Sequence, residues 1–164
     1  MAAIKLKEKP EGRSRTANSV TQPGTVRCDI KMDDHAIIVD EPPERGGKDE
    51  GASPLLHFSA SLASCQTVQV VKVAEAMRLE FGEIKIDAIL DTASGEGREQ
   101  DSRIIRFVRA KMIISIETNA SEAKIERLKQ LSIDRCPIGA LLDDAGVEPE
   151  VEWVILPLAQ SAVA

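Results

Sequence analysis

Cys65 and Cys136 are the side chains of this chain whose type and setting best fit chemistry. Cys65 closes the segment Ser53-Pro-Leu-Leu-His-Phe-Ser-Ala-Ser-Leu-Ala-Ser-Cys65, inside a long apolar helical pattern but on a face of small and polar residues. Cys136 stands directly before Pro137, a residue suited to the first position of a helix. A cysteine at a helix N-cap has its sulfur beside unpaired backbone N–H groups and the positive end of the helix dipole, which favours the thiolate. Two such thiols point to thiol redox chemistry, provided the fold brings them together. The competing reading is that each is a buried thiol packed as a small hydrophobe.

Other groups are weaker candidates. His57, Ser61, Ser64, Cys65, Gln69 and Lys72 recur at three- and four-residue spacing and so share one side of the helix. Buried polar groups need hydrogen-bond partners, which makes this an unusual set to place around a purely structural thiol. Arg27 lies on the outward face of an early strand. Its guanidinium is always charged and can hold a thiolate with two hydrogen bonds, or simply be solvated. Cys28, between Val26 and Ile30, is expected in the core. Asp40, Glu41, Glu44, Asp49 and Glu50 crowd one loop without an apolar setting and are expected to be solvated charge. Gly46-Gly47 with Gly51 lacks the Lys-Ser/Thr and the βαβ context of a phosphate loop. The cysteines show no C-x-x-C, and His35 and His57 make no ligand spacing, so neither metal nor cofactor is expected.

These residues must be held by a fold of modest size. At 164 residues the chain fits one domain with a core that needs no staples, and three scattered cysteines do not make a disulfide framework. Aromatics are 2% and the net charge is −6, which argues against nucleic acid or an anionic membrane surface as partner. No apolar run reaches about 18 residues unbroken, so no membrane span is expected. The N-terminus lacks a secretory apolar region, which leaves the cytoplasm as the expected compartment.

Residues 1 to 23, rich in charge, Ser, Thr and Pro, are expected to be a mobile arm or edge strand, and 24 to 164 a single domain. Val26, Cys28, Ile30 and Met32 alternate with Arg27, Asp29 and Lys31 as a half-buried strand. Asp33-Asp34 turns into a second strand, His35 to Asp40. A Pro- and Gly-rich loop from Glu41 to Gly51 leads to Ser53-Pro54, an N-cap with proline at the first helical position. The helix is expected to run to about Glu80, stopping near Gly82. Further strands follow at Ile84 to Leu90, at Ile104 to Ile116 (with Val108, Ala110, Met112 and Ile114 facing inward) and at Val151 to Leu156. Asp91 to Ser102 is expected as a polar turn. Between the last two strands lie a helix capped by Asn119 with Glu122, and one opened by Cys136-Pro137. The pattern is α+β: two groups of antiparallel strands with a long central helix. That helix is apolar over most of its circumference, too much for so small a chain to cover, so a homodimer is expected.

The run from His35 through Asp40-Glu-Pro, Gly46-Gly-Lys-Asp-Glu-Gly51 and Pro54 to Leu62-Ala-Ser-Cys65, followed by Cys136-Pro137, resembles the OsmC/Ohr family of organic hydroperoxide reductases. The resemblance covers residues 25 to 156. It implies an intertwined α+β homodimer with Cys65 as the peroxidatic and Cys136 as the resolving cysteine. It also implies an early-strand arginine, best matched by Arg27, with Arg13 and Arg15 as fallbacks. The implied partners are an organic hydroperoxide and an external dithiol reductant. One departure stands out: many peroxidases of the family carry Glu after the helix-start proline to orient the arginine, and here that residue is Leu55. Glu50 or Glu44 from the loop are the candidate substitutes. The alternative implied by Leu55 is a weakly catalytic or non-catalytic member that binds an apolar ligand at the dimer interface.

Overall fold

The computed structural model describes residues 12, 14–94 and 105–158. Its chain forms two compact units divided after Pro54. In the first, strands β1 (Asn18–Thr21), β2 (Cys28–Met32) and β3 (His35–Val39) form an antiparallel sheet in that order. Met32 pairs with His35 across a two-residue turn, and Asp33 supplies the left-handed conformation it needs at φ 51°. The strand β2 begins later than the alternation suggests. Val26 precedes it and is exposed, while Cys28 is half-buried with its thiol donating to the Val26 carbonyl at 3.6 Å. Cys28 is therefore not the core residue expected.

The loop after β3 corrects a second expectation. Asp40 is only 1% exposed, and its carboxylate accepts backbone N–H groups from Glu41 (2.9 Å), Lys48 (2.9 Å) and Glu50 (3.2 Å). Burial raises its pKa, but the three backbone donors, helped by the Arg27 charge, outweigh this and hold it below the usual carboxylate value. A carboxylate that gathers a Gly-rich loop is a structural anchor, not a solvated charge. Gly47 packs so closely on Asp40 and the Glu41 carbonyl that a Cβ there would collide with both.

The second unit holds all of α1 (Pro54–Ala76) but its first residue. It buries Leu62, Gln66, Val70, Val73 and Ala74. The helix stops earlier than expected, and Gly82 does not stop it. Arg78 takes the left-handed conformation at φ 53°, Arg78 N–H bonds to Glu75 and Leu79 N–H to Ala74, the pairing of a Schellman cap. Leu79 buries itself in the core as that cap requires.

Strands β4 (Ile84–Ser94), β5 (Ile105–Glu117) and β6 (Glu150–Leu156) make the second sheet, with β5 in the centre. β4 pairs antiparallel to β5, whereas β6 pairs parallel to it, so this sheet is mixed and not wholly antiparallel. Helices α2 (Glu122–Ile133) and α3 (Pro137–Asp144) provide the crossover that a parallel pair demands. β4 continues to Ser94 through part of the expected polar turn; the rest of that turn, and Ile104, lie outside the described residues.

Ala110, Met112, Ile114 and Ile116 of β5 face the core with Leu62, Val70, Val73, Leu128 and Leu142. Val108 does not, being 57% exposed. The register shifts between Asp91 and Thr92, so that Asp91 faces Arg109 and Thr92 faces Phe107, leaving Val108 as the extra residue of a bulge. Beyond the bulge Phe107 takes the inward side and meets Phe58 of α1 at 5.0 Å between ring centres. The α2 cap also differs. Ser121 occupies the N-cap without a side-chain bond, and Asn119 instead clamps Leu158, donating to its carbonyl and accepting its N–H.

Candidate functional site

Sequence-distant Cys65 and Cys136 meet. Cys65 projects half-buried from the middle of α1 and packs against the core cluster that contains Cys136. Cys136 is the N-cap of α3, with φ −83° and ψ 105°, followed by Pro137. Its sulfur accepts the Gly139 N–H at 3.4 Å, and Cys65 lies near enough to influence its ionisation. Cys28, Cys65 and Cys136 are all free.

The N-cap geometry is as expected, but its electrostatic consequence is reversed. Cys136 is 2% exposed, and burial pushes its thiol above the ordinary value. The Gly139 and Ile138 N–H groups pull the other way, while the neighbouring Cys65 sulfur adds to the rise. Two backbone donors, the Gly139 and Ile138 N–H groups, on an eight-residue helix do not offset desolvation plus a second sulfur. The balance favours the thiol form of Cys136.

The polar stripe of α1 has a plainer explanation than chemistry. Ser61 donates to the His57 carbonyl and Ser64 to that of Ser61, so both are satisfied on their own helix and both remain exposed. His57 Nε2 has no partner among the described residues. The polar residue that matters lies on the opposite face. Gln66 is fully buried, and neither its amide nitrogen nor its amide oxygen has a partner among the described residues. Sequence reading missed it, because a lone Gln in a helix looks like a surface residue; the signal was its position one turn from Leu62 and from Val70.

Gln66 and Cys136 share the wall of a cavity of about 320 Å³ with Met112, Ile133 and Ala140. Asp134, Asp143 and Glu148 bring carboxylates to the same wall. No cluster of His, Cys, Asp and Glu with metal-site geometry occurs among the described residues.

In the first unit Arg27 immediately precedes β2. Its Nε lies 2.8 Å from the Glu50 carboxylate and one terminal nitrogen 3.0 Å from Asp29. The solvated reading of Arg27 is therefore replaced by a two-carboxylate clamp. Of the two candidates to stand in for the carboxylate missing at Leu55, Glu50 has found the arginine. Glu44 lies exposed in a short 3-10 turn, Pro43–Arg45. Arg15 is exposed, and Arg13 lies outside the described residues.

An α+β chain whose long helix and short capped helix bring two cysteines together belongs to a recognisable class of thiol-bearing folds. The OsmC-like protein family model matches residues 47–152, and the chain belongs to that family. The OsmC-like protein of Mycoplasma pneumoniae superposes with a TM-score of 0.74 at 16% identity, covering 88% of this chain and 98% of that one. The organic hydroperoxide resistance protein OsmC of Legionella pneumophila gives 0.63 at 14% identity, covering 88% and 97%. The organic hydroperoxide resistance protein OhrB of Bacillus subtilis gives 0.59 at 16%, covering 87% and 98%. No curated protein sequence matches the chain. No helix is long and apolar enough to cross a membrane among the described residues.

Proposed function

We propose that this protein is a thiol peroxidase that reduces organic hydroperoxides. The observation that carries the reading is the neighbouring pair of free thiols, one half-buried and the other buried with its thiol form favoured. Family membership and the names of the Legionella and Bacillus relatives support the substrate class.

Cys65, as thiolate, attacks the distal peroxide oxygen. The O–O bond breaks, the alcohol leaves with a proton, and Cys65 becomes a sulfenic acid. Cys136 then condenses with it. The S–S bond forms as the sulfenic hydroxyl leaves with the Cys136 proton as water. An external dithiol returns two electrons by exchange. Arg27, oriented by Glu50 in place of the residue absent at Leu55, is the cation assigned to the peroxidatic thiolate. The assembly assigned to it is a homodimer and the compartment the cytoplasm.

The test is consumption of cumene hydroperoxide with a dithiol, comparing wild type with Cys65→Ser and Cys136→Ser. Cys65→Ser should abolish turnover. Cys136→Ser should allow one turnover and leave Cys65 as a sulfenic or overoxidised species. Wild-type consumption no faster than Cys65→Ser sinks the peroxidase reading. It would favour the second reading, an apolar ligand bound at a dimer interface, which Leu55 and the exposed Leu56 beside it motivate.

A further inference from the structure

We infer that Asp40 is a positioning residue for the proposed peroxide reduction: it fixes the loop backbone from which the Glu50 carboxylate reaches Arg27. This rests on the peroxidase reading, in which Arg27 serves the thiolate, and adds the group that sets the partner of Arg27 in place.

A lone ion pair between a half-exposed glutamate and an arginine contributes little, because two long side chains must give up their freedom to keep one geometry. The Glu50 side chain is 47% exposed, yet its carboxylate lies 2.8 Å from Arg27 Nε. What lowers the cost is that Glu50 starts from a fixed backbone. Its N–H donates to Asp40 Oδ2 at 3.2 Å, and the Lys48 N–H donates to the same oxygen at 2.9 Å. Between them Asp49 adopts the left-handed conformation at φ 60°, which turns both N–H groups toward one acceptor. The Asp49 N–H goes to the Glu41 carbonyl at 3.1 Å, so three successive backbone donors all have acceptors. Asp40 is itself held just after β3. Its N–H bonds to the Ala52 carbonyl at 3.4 Å, and its other carboxylate oxygen takes the Glu41 N–H.

Arg27 needs the partner that this loop delivers. Its Nε is buried and has no aligned hydrogen bond among the described residues, so the Glu50 charge beside it is its compensation. Asp29 serves the terminal nitrogens at 3.0 and 3.3 Å from strand β2, whose pairing with β3 already fixes it. The two edges of the guanidinium thus depend on different supports. One rests on sheet pairing and the other on the Asp40 carboxylate.

The experiment reads Arg27 directly by nuclear magnetic resonance of isotope-labelled protein, through its Nε–H resonance, assigned by its loss in Arg27→Lys. The backbone amide spectrum of each variant reports that it is folded. Glu50→Gln should shift the Arg27 resonance and speed its exchange with water. Asp40→Asn should do the same, and in the Glu50→Gln background it should add no further change. Gly47→Ala is a second perturbation that leaves every charge in place. A Cβ there would collide with the Glu41 carbonyl and the Asp40 carboxylate, so the loop must shift and the Arg27 resonance should move as it does in Glu50→Gln. For cumene hydroperoxide, kcat/KM should fall about tenfold in Asp40→Asn, the scale on which supporting groups of a site act. In the double variant Asp40→Asn, Glu50→Gln the loss should not exceed that of Glu50→Gln alone, since the two residues act in series. An Arg27 resonance unchanged in Asp40→Asn and Gly47→Ala, or losses that add in the double variant, overturns the inference and leaves the peroxidase reading standing. Wild-type consumption no faster than that of Cys65→Ser overturns both, even where the resonance responds.

Discussion

At Cys136 a helix N-terminus and the protein interior pull one thiol in opposite directions. The Gly139 N–H favours the thiolate; burial and the adjacent Cys65 favour the thiol, and together they prevail. Alkylation of Cys136, followed by peptide mass against pH, should therefore need more alkaline conditions than a free thiol. In Cys65→Ala the profile should move back toward lower pH, because the variant removes the neighbouring sulfur that raises it. Superimposable profiles would mean that the two sulfurs do not communicate. Arg27 offers a second comparison at this scale. Its Nε is paired with Glu50 and not with Glu44, so Glu50→Gln should slow peroxide turnover and Glu44→Gln should not. Equal losses in the two variants would detach Glu50 from the site. The thiols and the arginine were legible because Cys before Pro, Cys in a small-residue helix and Arg beside a strand are local patterns. Gln66 was not legible, since its importance lies in what surrounds it after packing.

The elements reward the same comparison of local rule with packed outcome. Strict alternation along β5 puts Val108 and Ile114 on one face, yet the bulge opposite Asp91 and Thr92 turns Val108 outward. Ile114→Ala should cost about 2–5 kcal/mol in denaturant unfolding, whereas Val108→Ala should stay within about 0.5 kcal/mol. Comparable losses would return Val108 to the core. The start of α1 was legible from Ser53-Pro54, because capping chemistry is written in two adjacent residues. Its end was not, because Arg78 accepts a left-handed conformation that composition gives no reason to expect, with Leu79 burial as the compensation. The loop before α1 makes a related point about charge. Asp40 has its pKa lowered in the folded state, so it contributes stability that is present above the ordinary carboxylate range. That contribution disappears as pH falls through this range toward the lowered value. Asp40→Asn should thus melt below wild type at neutral pH, with the gap closing on acidification. A gap that is constant with pH would show that the charge of Asp40 contributes nothing beyond its shape.

At the scale of the whole molecule, the question is what covers the apolar side chains that one chain leaves in water. On α1, Leu56 is 60% exposed and Val68 46%, although the same helix buries Leu62, Val70 and Val73. The second sheet adds Ile105, Val108, Ile155 and Leu156. Scattered exposed hydrophobics are ordinary, but a helix carrying them on the side away from its own core is the arrangement that a second copy relieves. A symmetric pair would bury the same residues twice, which is why a self-complementary apolar face points to a dimer more than to an unrelated partner. We therefore expect sedimentation at micromolar concentration to give twice the monomer mass. The thermal midpoint should rise with protein concentration, since association stabilises by mass action. Leu56→Glu and Val68→Glu place charges on the exposed side of α1 and leave its buried residues untouched. They should shift the protein toward monomer without unfolding either unit. A wild-type chain that sediments as a monomer, with a midpoint independent of concentration, would end the dimer proposal. It would also leave the exposed face of α1 without the covering proposed for it.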